Sequence, residues 1–111
     1  MTINEYQVAA MRTSGKNLTT AEHLFNGALG LTGESGEVAD IMKKAAFQGH
    51  ELDVEHLAKE LGDICWYLAE TATAIGYALE DIMQMNIDKL KKRYPDGFSA
   101  ERSQNREEGD V

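Results

Sequence analysis

The stretch "GLTGESGEVADIMKKAAFQGHELDVEHLAKELGDICWYLAE", Gly30 to Glu70, decides how this chain is read. Its apolar residues recur at helical spacing, and acidic residues stand among them. Leu24, Ala28, Leu31, Val38, Ile41 and Ala45 follow alternating steps of three and four with one member missing, and Glu34 fills the vacancy. Glu37, three residues on, leaves the same side of the helix about one turn later. Leu57, Leu61, Ile64, Leu68 and Ile75 then form a second apolar stripe, bordered by Glu60 and Asp63 at the same i, i+3 spacing. Two successive helices therefore each carry a pair of carboxylates on or beside the face they bury.

Working outward, no segment alternates with the period of two that strands require, and Pro95 is the single proline. Thr2 caps a first helix running to about Arg12. After the loop "TSGKNLTT", Thr19 or Thr20 caps a second helix that runs to about Phe47, with Glu22 in its first turn. Asp53 caps a third helix, which stops near Gly76. A fourth spans about Leu79 to Tyr94 and ends at "YPDGF", where proline cannot continue the hydrogen-bond ladder. The expected architecture is all-α: a four-helix-bundle-like single domain over residues 1–98. Residues 99–111, "SAERSQNREEGDV", are polar without an apolar period and are expected to be a frayed tail.

Composition narrows the function classes. At 111 residues with 42% hydrophobic content, the chain is long enough for one packed domain. A formal net charge of −8 argues against binding a nucleic-acid polymer or an anionic membrane, because both need clustered Lys and Arg. With no membrane-length apolar run and no signal-peptide layout at its N-terminus, the chain reads as cytoplasmic. The lone Cys65, in an apolar helix, is expected in the core. Helix three is apolar on more sides than one chain can cover, so some of Trp66, Leu68, Ala69, Ala72 and Ile75 are expected to face another subunit in a homodimer or homotetramer.

An isolated buried carboxylate costs several kcal/mol, and several together repel as well, so a cation must sit among them. Four hard oxygen donors, with no Cys or His at ligand spacing, suit Mg²⁺, with Mn²⁺ as a substitute, rather than zinc or copper. A di-iron carboxylate site needs Glu-x-x-His, and none of His23, His50 or His56 has Glu three residues before it. His56 shares the Glu60 and Asp63 face but reads as an exposed first-turn residue. On the fourth helix, Asn86, Lys89 and Arg93 form a polar stripe whose donors suit phosphate oxygens, or else a cationic end complementing the helix dipole. Lys43 and Lys44 read as the solvated end of helix two. "GLTGESGE" lacks the GK[ST] ending of a phosphate-binding loop, so Gly30, Gly33 and Gly36 are expected to permit close packing or access to the acidic residues.

The pattern Glu34-x-x-Glu37, twenty-two residues, then Glu60-x-x-Asp63, followed by "NIDKLKKRYPDGF" at Asn86 to Phe98, resembles the MazG-like family of all-α nucleoside triphosphate pyrophosphohydrolases. The resemblance covers roughly Gly30 to Phe98. It implies Mg²⁺-dependent hydrolysis between the α- and β-phosphates of a nucleoside triphosphate, giving a monophosphate and pyrophosphate. It also implies that Glu34, Glu37, Glu60 and Asp63 bind metal, that one of them orients the attacking water, that Lys89, Arg93 and Asn86 hold phosphates, and that Tyr67 lies near the substrate. Trp66, Tyr6, Gln7 and Phe25 are candidates for contact with the base. The alternative is a non-catalytic helical oligomerisation module with a structural divalent-metal site.

Overall fold

The computed structural model describes residues 1–111 and contains five helices and no strand. In chain order these are α1 (Ile3–Met11), α2 (Thr20–Phe47), α3 (Val54–Ala74), α4 (Leu79–Arg93) and α5 (Ala100–Gln104). The chain divides into two compact units, Met1–Leu79 and Glu80–Val111. The expected four helices are thus five, arranged in two units.

Helix boundaries follow the caps. The Thr2 hydroxyl accepts from the Glu5 amide at the start of α1. At the start of α2, Thr19 accepts from the Glu22 amide while the Glu22 carboxylate accepts from the Thr19 amide. This reciprocal box satisfies two otherwise orphaned donors, and an N-cap of this kind stabilises by about 1 kcal/mol. Asp53 accepts from the His56 amide to begin α3, which ends as the chain turns through Gly76 at φ +79°. That left-handed conformation favours glycine.

In the first unit, α3 packs along α2 and against α1. Gly27 and Gly30 set how closely α2 approaches α3: a Cβ at Gly27 would collide with the Thr71 hydroxyl, and one at Gly30 with the Tyr67 ring. Gly33 and Gly36 meet nothing within 4 Å, so close packing falls to Gly27 and Gly30. Gln7 of α1 ties down the other end of α3, donating to Thr73 Oγ1 at 3.0 Å and to the Tyr77 carbonyl at 3.0 Å, and accepting from the Leu79 amide at 2.7 Å. The Trp66 indole donates to the Ala10 carbonyl at 2.9 Å and to Thr13 Oγ1 at 3.0 Å. Trp66 and Gln7 are therefore occupied as cross-braces between α1 and α3.

The apolar residues that the chain buries are few, and three of the four are alanines: Ala10, Ala69, Ala72 and Leu79. Phe25, Leu29, Leu61, Leu68 and Ile75 are exposed. This narrows the candidates on helix three: Ala69 and Ala72 lie inside the chain and Trp66 is braced on α1, while Leu68 and Ile75 are exposed. Cys65 is also exposed rather than in the core.

In the second unit the expectation of a frayed tail fails. Ser99 caps α5 by accepting from the Arg102 amide. Arg93 grips Asp110 through two hydrogen bonds, Nε to Oδ2 at 2.8 Å and Nη2 to Oδ1 at 2.7 Å. The segment lacks an apolar period, but polar and ionic contacts hold it instead.

The glycine contacts predict opposite outcomes for one substitution type. Gly30→Ala should lower stability by about 1–3 kcal/mol in chemical denaturation, the usual range for overpacking a tight contact. Gly33→Ala should leave it unchanged or raise it by up to about 1 kcal/mol through helix propensity.

Candidate metal centre

α2 and α3 bring three of the four expected carboxylates together. One ligand oxygen from each of Glu34, Glu60 and Asp63 lies within 4.8 Å of the others. Glu34 and Glu60 are half-buried and Asp63 is exposed, so the group lies at the edge of the α2–α3 seam and is open on one side. Glu37 is exposed and outside the group, although its charge still acts on Glu34.

The electrostatics are those of crowded like charges. A hydrogen bond with Glu60 raises the Glu34 carboxyl to about 7; partial burial and the negative charges of Glu60, Asp63 and Glu37 push it the same way. Two carboxylates this close share a proton when no cation separates them. All donors are hard oxygens, the donor set that Mg²⁺ or Mn²⁺ takes, and a divalent ion relieves the same repulsion without a proton. The residues present thus fit such an ion.

The surroundings hold this group in place. His56, half-exposed, has Nε2 3.1 Å from Glu60 Oε1, one turn away on α3. Tyr6 of α1 has its phenol raised by burial and by the charges of Cys65 and Asp63, so α1 borders the acidic edge. The half-buried Tyr67 ring lies against Gly30 and meets Trp66 edge-on, with centroids 5.2 Å apart. Lys43 and Lys44 pair with Asp40 at 3.2 and 2.8 Å, forming the expected solvated end. Phe25 is 68% exposed.

A fifth carboxylate was not read from the sequence. Glu70 is 1% exposed, accepting from Asn26 Nδ2 at 2.8 Å and lying 3.1 Å from His23 Nδ1. With Lys16, Thr20, His23 and Thr73 it lines a cavity of about 350 Å³. Glu70 follows Asp63 by seven residues, the same face of α3 two turns on, and that spacing was the available signal. In the second unit, Lys89 and Arg93 line a separate cavity, and Arg93 is engaged by Asp110. Asn86 on α4 is exposed.

Comparison with known proteins now adds to this geometry. The family model for the MazG nucleotide pyrophosphohydrolase domain matches residues 26–98. The chain belongs to the MazG nucleotide pyrophosphohydrolase family. It is also 31% identical over 114 aligned positions to the Gene 37 protein of Mycobacterium phage L5, covering 96% of this chain and 100% of that protein. No solved structure matches the chain significantly. The MazG match spans both acidic pairs and the end of α4, and it implies a nucleotide substrate. No helix is long and apolar enough to cross a membrane.

Two measurements check this description. Glu34 binds its proton more tightly folded, at about 7 against 4.5. Between those values the folded chain holds a proton that the unfolded chain has released, so its contribution to stability is full below pH 4.5 and is lost as pH rises through 7. Chelator-treated protein should therefore lose stability across this window in urea titrations, and Glu34→Gln should flatten the slope. Glu70→Ala should destabilise by about 1–3 kcal/mol, since it strands Asn26 and His23 beside a buried void; denaturation midpoints measure the loss.

Proposed function

We propose that this MazG-family chain is a Mg²⁺-dependent nucleoside triphosphate pyrophosphohydrolase that cleaves between the α- and β-phosphates. The observation that carries the reading is the Glu34, Glu60 and Asp63 cluster, whose oxygens lie within 4.8 Å at the open edge of the α2–α3 seam. In this reading Glu34, Glu60 and Asp63 hold the ion, with Glu37 completing the set from the next turn of α2. A bound divalent ion supplies charge neutralisation for the polyphosphate and a water of lowered pKa.

The chain's own groups do the rest. One carboxylate of the acidic set orients the attacking water and accepts its proton. Lys89 and Arg93, with Asn86, hold phosphate oxygens and absorb charge developing on the departing pyrophosphate. Tyr67, fixed against Gly30, stands beside the substrate. No nucleophilic side chain is required, so Cys65 has no chemical part.

The acting form is a homo-oligomer. Support comes from the small buried core and from exposed Phe25, Leu29, Leu61 and Leu68 on α2 and α3 and Ile75 at the end of α3, apolar surface that a second copy would cover. A cytoplasmic setting fits a nucleotide substrate and a free, exposed Cys65.

The test is a screen of purified protein against ribo- and deoxyribonucleoside triphosphates with Mg²⁺, separating products by chromatography, with Glu60→Ala alongside. The expected products are monophosphate and pyrophosphate, with turnover reduced at least about 100-fold in the variant. Release of inorganic phosphate and a diphosphate would contradict the proposed cleavage position. A metal-dependent rise in melting temperature without turnover would instead identify a structural metal site.

A further inference from the structure

The second unit concentrates positive charge in an otherwise acidic chain. Lys89, Lys92 and Arg93 from the end of α4, and Arg102 and Arg106 from α5 and the residues after it, line one cavity of about 300 Å³. These are five of the chain's eleven Lys and Arg residues, in a protein of net charge −8. The acidic residues in the same lining, Glu107, Glu108 and Asp110, all come from the last few positions of the tail. The helices and Arg106 thus make a cationic cup, and the tail lays its own acids into it.

The central contact is a side-on fork. Arg93 donates through Nε and Nη2 to the two oxygens of Asp110, with both side chains mostly buried, at 10% and 19% exposed. Arg93, Arg106 and Lys89 hold the Asp110 carboxyl below the usual carboxylate range, with the Arg93 hydrogen bonds the largest cause, so all three cations act on one carboxylate. Arg102 reaches back to the Arg93 carbonyl at 3.5 Å, and Tyr94, its ring tilted against Phe98 with centroids 5.3 Å apart, interacts with Ser103 and Arg106. The folded tail is therefore ordered around the anion that it supplies.

A guanidinium fork accepts carboxylate and phosphate in the same geometry, and a phosphate chain carries more charge than one aspartate. We propose that this cavity is a binding site for a di- or triphosphate chain and that Asp110 is its built-in competitor, displaced when the phosphate chain enters. For Lys89 and Arg93 the proposal rests on the pyrophosphohydrolase reading, and it adds Arg106 to the phosphate-holding groups and a self-blocking role for the tail. A site whose competent form is populated only in part binds more weakly by that fraction, so releasing Asp110 raises apparent affinity without any new contact.

The test uses the full chain and inorganic pyrophosphate, titrated calorimetrically at low salt with a chelator present so that the acidic cluster takes no part. Asp110→Asn should tighten pyrophosphate binding about tenfold, as expected if the tail occupies the site roughly nine-tenths of the time. Arg106→Gln should weaken binding, and circular dichroism confirms that each variant is folded. Equal affinity in the parent and Asp110→Asn, or sulfate binding as tightly as pyrophosphate, would overturn the proposal. Nucleotide turnover is scored separately. Turnover with no effect of Asp110 sinks this inference alone, whereas tighter pyrophosphate binding without turnover sinks the pyrophosphohydrolase reading and leaves the anion site standing.

Discussion

The structure of the first unit depends on a repulsion. Glu34 takes a position in the α2 repeat that would otherwise hold an apolar side chain, and α3 delivers Glu60 and Asp63 against it. With no cation between them, the carboxyls settle their charge by sharing a proton, which is why Glu34 titrates near 7. A bundle selected only for stability would place leucine at position 34. Keeping three carboxylates there makes sense if the folded chain is completed by a divalent ion, and neighbouring features hold them in place. Gly27 and Gly30 bring α2 close to α3, the Thr19–Glu22 box fixes where α2 begins, and His56 braces Glu60.

A second consequence concerns what the chain lacks. With polar groups on the seam and only Ala10, Ala69, Ala72 and Leu79 as buried apolar residues, hydrophobic burial within one chain is modest. Polar cross-braces take part of its place: half-buried Gln7 to the end of α3 and the start of α4, half-buried Trp66 to α1, and buried Glu70 to Asn26 and His23. The exposed leucines of α3 and Ile75 at its end are the complement of that small core. The same residues that leave the monomer thinly packed give a second copy something to cover.

Much of this was legible from residue spacing. Thr2, Thr19 and Asp53 mark the helix starts because each places a side-chain acceptor three residues before a free amide, and the three-and-four repeat exposes Glu34 as an intruder. Local pattern carries no information about partners far apart in the chain. Glu70 was not singled out because its partners, Asn26 and His23, are 44 and 47 residues away. The tail was misread for a related reason: α5 is five residues long with no apolar period, and its anchor joins Arg93 to Asp110, seventeen residues apart. Glu37 shares a helix face with Glu34, yet spacing alone does not say which oxygens converge, and three of the four do. Cys65 was placed in the core because α3 is apolar on many sides, and a single chain does not bury them all.

The central claim is that a divalent ion completes the α2–α3 seam. Its most direct test is carboxylate ¹³C NMR of the intact protein titrated with Mn²⁺ at substoichiometric levels. The account predicts selective paramagnetic broadening of the Glu34, Glu60 and Asp63 side-chain carbons, with surface acids such as Glu55 and Glu101 left sharp, and reversal on adding excess Mg²⁺. Uniform weak broadening of all exposed acids, with Glu34 still titrating near 7 in saturating Mg²⁺, would contradict it.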